Sequence, residues 1–81
     1  GQGMAQRSHE LQALIEARLA AWQEEKSRLD EQLADPAMYA QPDVDKLKAL
    51  SRRQQELGGL IEAAEARWLA AQMELEAIGD V

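Results

Sequence analysis

At 81 residues the chain is one domain or a piece of a longer protein, and its hydrophobic fraction of 46% is largely alanine, with 4% aromatics and no Phe. Such a chain can bury a seam between helices but cannot enclose a thick core. A formal charge of −6 argues against strong, indiscriminate attraction to nucleic acid or anionic membrane, and the absence of cysteine excludes a disulfide framework, a thiolate zinc site and a Cys nucleophile.

Charged residues at 30%, with Glu, Ala, Leu, Arg and Gln abundant, fit a coiled coil better than a globule. No apolar run approaches the ~18 residues needed to span a bilayer, and no signal peptide is visible, so no membrane contact and a cytoplasmic location are expected. Gly1-Gln2-Gly3 reads as a tag remnant, and residues 1–7 as a disordered start before the first helix. Ser8 is the N-cap candidate for a first helix over 8–34, with Glu10 near the positive end of its dipole. Its seam reads Gln12, Ile15, Leu19, Trp22, Lys26, Leu29 and Leu33, in steps that alternate three and four. Leu11 and Leu14 widen the apolar face. Lys26 interrupts it, with a methylene stem that can lie along the seam while the ammonium reaches water.

Pro36 ends that helix and opens a turn over 35–42. Asp35 as cap and Pro36 at the first position predict one short helical turn presenting Met38 and Tyr39. Either side chain can fold back over the end of the hairpin, or Tyr39 can stay exposed and stack. Pro42 then pre-sets the backbone, and Asp43 or Gln41 caps a second helix over 43–79, with Gly79 as its stop. The second seam runs Leu47, Leu50, Gln54, Leu57, Ile61, Ala64, Trp68, Ala71, Leu75, Ile78 without slip. The fold expected is a single all-α domain: a two-helix antiparallel coiled-coil hairpin with a short Pro-containing turn. Matching its open ends pairs Leu19 with Ala64 and Ile15 with Trp68. Gly58-Gly59, costing about 1 kcal/mol per residue against Ala in a helix, reads as room for a bulky neighbour, with Trp22 the candidate, or else as a flexible point or approach surface. Gln54 is a polar residue in the seam, expected within about a turn of Lys26.

Little here suggests catalysis. His9 has no second His or Cys beside it, which points to an exposed or capping role and gives no metal site. The carboxylates fall on solvated faces; Arg18 with Glu16 and Glu62 with Arg67 read as surface charge patterning. A hairpin offers no concave pocket for acid–base chemistry, and no phosphate loop or nucleophile elbow is present, so the chain itself is expected not to be an enzyme and to hold no cofactor. Trp22 and Trp68 lie on the seam and read as core anchors rather than stacking platforms. Six of the nine basic residues, Lys26, Arg28, Lys46, Lys48, Arg52 and Arg53, lie in the half nearest the turn, amid Glu24, Glu25, Asp30, Glu31, Asp35, Asp43, Asp45 and Glu56. With Tyr39 these six form a candidate nucleic-acid-binding stripe: weak, salt-sensitive phosphate contact as against an ordinary solvated surface.

The run Leu33-Ala34-Asp35-Pro36-Ala37-Met38-Tyr39, a Pro-Asp, and Lys46-Leu47-Lys48-Ala49-Leu50-Ser51 resembles the C-terminal coiled-coil domain of bacterial ABC-F ATPases. Ile61–Gln72, with Trp68, is similar to the late Glu-x-x-Trp region of that domain, and the likeness covers about Leu11 to Ile78. It implies the tail of a cytoplasmic protein with two ATP-binding cassettes, acting at the ribosome or, in the Uup-like branch, on DNA. ATP and Mg would belong to those cassettes. The resemblance implies DNA or ribosomal RNA as partner, and as an isolated domain the chain is expected to be a monomer. The acidic balance departs from a dedicated DNA-binding tail. A structural module packing on its own cassettes or on a protein partner, through the turn, Gly58-Gly59 or the acidic open end, is the competing reading, and the Asp-Pro hairpins of peptide-chain release factors look superficially alike.

Overall fold

The computed structural model describes residues 2–78: helix α1 (Gln2–Ala34), the short helix α2 (Ala37–Ala40) and helix α3 (Val44–Ile78). The two long helices lie side by side in a rod of 60 × 14 × 14 Å, the expected antiparallel hairpin. Ala, Leu, Glu, Gln and Arg dominate both, and these lose little side-chain freedom in a helix. Among the described residues no helix is long and apolar enough to cross a membrane.

The seams hold at every position read from the sequence. Ile15, Leu29, Leu57, Ala64, Ala71 and Leu75 are buried, and the remaining apolar seam residues are half-buried. Leu57 is the side chain most completely enclosed, at 0% exposure. Its burial contributes about 1.5–3 kcal/mol, a large share of what so thin a core can gather. Polar contacts between the helices fix their register. Gln12 Nε2 donates to Gln72 Oε1 at 2.9 Å and to the Trp68 carbonyl at 3.4 Å, and Trp68 Nε1 donates to Glu16 Oε1 at 3.0 Å. These contacts set Ile15 and Leu19 against the Ala64–Trp68 stretch, the alignment that matched open ends favour.

Several expectations change. Helix α1 begins at Gln2, six residues before Ser8. Ser8 is no cap: it is 5% exposed, and its hydroxyl donates to Glu74 Oε2 at 3.2 Å across the seam. The heptad spacing simply continues backwards through Ser8 to the half-buried Ala5, and Ala, Gln and Arg in that stretch favour helix. The glycines make no room for Trp22, because a Cβ at Gly58 or Gly59 would meet nothing within 4 Å. They stand beside and behind the seam, whereas Trp22 lies on the flank lined by Leu60 and Ala63. Neither Arg18–Glu16 nor Glu62–Arg67 is among the ion pairs formed. Residues two or five apart on a helix do not face one another. Gly79, the expected stop, lies outside the described residues.

Candidate nucleic-acid interface

The turn is built by its own side chains. Asp35 Oδ1 accepts the Ala37 N–H at 3.0 Å, and the Met38 and Tyr39 N–H groups donate to the Asp35 and Pro36 carbonyls at 3.1 Å each. Asp35 thus caps the short turn with Pro36 at its start, as the Asp-Pro pair implies. The Tyr39 hydroxyl donates back to the Leu33 carbonyl, one of the acceptors left over at the end of α1. Its ring nevertheless remains 52% exposed, while Met38 is half-buried. Asp43 caps α3, taking the Lys46 N–H on Oδ1 at 3.2 Å and the Leu47 N–H on its carbonyl at 3.0 Å. That cap sets where the first basic residues of α3 emerge.

The six candidate cations fall into two groups. Arg53 is engaged from both sides: Nε and Nη2 donate to Glu25 at 2.7 and 3.0 Å, and Nη1 to Glu56 at 3.2 Å. These bonds hold the Glu25 carboxyl below its usual pKa and raise that of the guanidinium. Lys26 Nζ pairs with Asp30 Oδ2 at 3.1 Å, and Gln54 Nε2 donates to the other oxygen of Asp30 at 2.6 Å. The Gln54 bond first, then Lys26, keeps Asp30 ionised to lower pH than usual. Gln54 and Lys26, the two polar interruptions of the seams, are thereby joined through one carboxylate. Arg28 pairs with Glu24 at 2.7 Å along α1. These three cations are already neutralised within the hairpin.

Lys46, Lys48 and Arg52 are exposed and form no ion pair among the described residues. Lys48 and Arg52, one turn apart, line a shallow trough on α3 together with Val44, Leu47, Ser51 and Gln55. Lys46 projects about 200° around the helix from Lys48, so the six cations do not make one continuous stripe. Two positive heads beside a hydroxyl and an amide can hold phosphate oxygens on a flat surface. Nothing encloses a reacting group there.

The open half, which the sequence offers only as an acidic end for a protein partner, carries its own set of polar contacts. Buried Gln12 and its partner Gln72, Ser8 with Glu74, and Trp68 with Glu16 form polar links spaced along it. Gln12 carried the available signal: a polar residue at a seam position. His9 is exposed nearby. Among the described residues no group of His, Asp or Glu is arranged to hold a metal ion.

No curated protein and no solved structure matches the chain. The sequence profile of the ABC transporter C-terminal domain does match, over residues 5–77. That span takes in both long helices and the Asp-Pro turn, and it displaces the likeness to release-factor hairpins. The chain belongs to the ABC transporter C-terminal domain family.

Proposed function

We propose that this accessory domain serves an ABC-F-type ATPase by making weak phosphate contacts with DNA or ribosomal RNA. Lys48 and Arg52 carry the contact, with Lys46 reaching a second phosphate and the exposed Tyr39 ring available to stack on a base. The observation that supports the reading is the pairing pattern: these cations lack internal counterions, although the chain is acidic and its other turn-proximal cations are all paired. Two or three phosphate contacts give modest affinity. They predict a loss of roughly ten- to forty-fold in affinity for duplex DNA between 50 and 200 mM salt.

The test is fluorescence anisotropy of labelled single- and double-stranded DNA and of a ribosomal RNA hairpin, titrated with this chain at low and physiological salt. Lys48→Glu with Arg52→Glu is expected to abolish binding, while Arg28→Glu leaves it nearly unchanged. No binding at low salt, or equal loss from both variants, would sink the proposal. A second reading, packing on the protein's own ATPase cassettes, draws support from Leu69 and Met73. These lie one turn apart on α3 and are 55% and 60% exposed. That packing would survive the Lys48 and Arg52 charge reversals.

A further inference from the structure

The trough that carries Lys48 and Arg52 is short and bracketed by carboxylates. It measures ≈ 390 Å³ and is lined by Val44, Leu47, Lys48, Ser51, Arg52 and Gln55. Asp45, Lys48, Arg52 and Glu56 share one face of α3, within about 80° of one another, in the order minus, plus, plus, minus. The two cations stand about 6 Å apart along the axis, with Asp45 about 4.5 Å before Lys48 and Glu56 about 6 Å after Arg52. Glu62 closes the far end about 10 Å beyond Gln55. The carboxylates around them are engaged elsewhere: Asp35 and Asp43 as caps, Asp30 by Lys26 and Gln54, Glu25 by Arg53 and Glu24 by Arg28. Glu31 lies on the outer face of α1.

This order of charge sets the footprint. One or two neighbouring phosphates of a strand fit the pair of cations, and the next phosphate along meets a carboxylate. A duplex is stiff and presents its phosphates at fixed intervals, so it cannot avoid Asp45 and Glu56 while it touches Lys48 and Arg52. An unpaired strand can turn away after two phosphates. It can also bend toward Lys46, which stands about 200° around the helix from Lys48, out of reach of a straight duplex. The apolar lining favours the same ligand. Val44, one turn before Lys48, is 58% exposed, and Leu47 beside it is half-buried. A duplex keeps its base faces inside the stack, whereas an unpaired base has an apolar face free to cover Val44. We propose that the trough selects an unpaired strand over duplex, a selectivity that rests on the phosphate contact proposed above. Lys48 and Arg52 hold the phosphates, a base lies over Val44, and Ser51 and Gln55 offer a hydroxyl and an amide to its polar edge.

Fluorescence anisotropy at low salt tests the choice, with a labelled oligothymidylate, an oligouridylate and a DNA duplex of the same length. At least one unpaired strand is expected to bind about fivefold more tightly than duplex, the gain from covering part of an exposed valine. The tighter of the two identifies the strand as DNA or RNA. Val44→Ser should erase the preference by weakening the unpaired strand and leaving duplex unchanged, and Val44→Ile should keep it. Circular dichroism should show unaltered helicity in both variants, because the side chain lies outside the seam. Equal affinity for strand and duplex overturns the selection and leaves the phosphate contact standing. So does a Val44→Ser chain that keeps the preference, or one that loses both ligands alike. No binding to any of the three removes the phosphate contact and the selection together.

Discussion

The two halves of the rod are held together differently. Toward the open end, the small and polar residues Ala64, Ala71, Gln12 and Ser8 are buried beside Ile15 and Leu75, while Leu11, Leu14 and Leu69 stay exposed. Toward the turn, Leu29 and Leu57 are the buried apolar residues, and a charged network of Glu25, Arg53, Lys26, Asp30 and Gln54 runs along the flanks. The open half leaves Leu11, Leu14, Leu69 and Met73 uncovered. The other covers its leucines and leaves three cations free. The lesson is that a seam only two helices thick cannot finish both tasks along its whole length, and surface left unfinished is where partners can be sought.

Leu57→Ala is the change that tests this division hardest. Removing the side chain at 0% exposure should cost about 2–5 kcal/mol, enough to unfold much of a marginal hairpin. Thermal melting followed by circular dichroism reads it. If Leu57→Ala melts no earlier than Leu69→Ala, whose side chain is exposed, the buried leucines are not what holds the turn-proximal half.

A smaller effect of opposite sign is expected at the boundary between the halves. Gly58→Ala and Gly59→Ala should each stabilise by about 1 kcal/mol, because the added methyl meets open space and alanine favours helix. Both variants should raise the melting midpoint. A lowered midpoint would mean that something approaches those positions closely in solution.

The smallest effect belongs to the charged network. Glu25 and Asp30 have pKa values below their ordinary 4.5 and 3.8, so the folded chain favours their ionised forms. That stabilisation is present above these ordinary values and fades as pH falls through the lower folded-state values. Glu25→Gln should therefore melt slightly earlier than the native chain at neutral pH, and the gap should close in acid. A gap independent of pH would mean that packing, not charge, accounts for the loss; exposed pairs of this kind contribute little in any case.

Much of the fold was legible. A three-four alternation without slip from Leu47 to Ile78 admits one buried face, and Asp35-Pro36 admits little besides a stop and a turn. Ser8 was misread because serine suits an N-cap and a narrow seam equally well, and only the partner helix decides between them. The glycines were misread for a related reason. Their neighbourhood depends on which way Trp22 leans, a choice of side-chain orientation that spacing does not encode. The candidate site was legible as a list of cations and illegible as a set of free ones. Arg53 and Arg52 are adjacent in sequence, yet one is locked onto Glu25 and the other is open, because a single residue step moves a side chain by about 100° around the helix.

The slenderness of the rod has a mechanical consequence. At 60 Å long and 14 Å wide, the hairpin is a lever whose far end magnifies whatever happens at its base. A tilt of about 5° where the open end is gripped sweeps the turn through about 5 Å, comparable to the spacing between neighbouring phosphates. A small rearrangement at one end is thereby enough to bring Lys48 and Arg52 onto a surface, or lift them off it, with no change inside the hairpin itself.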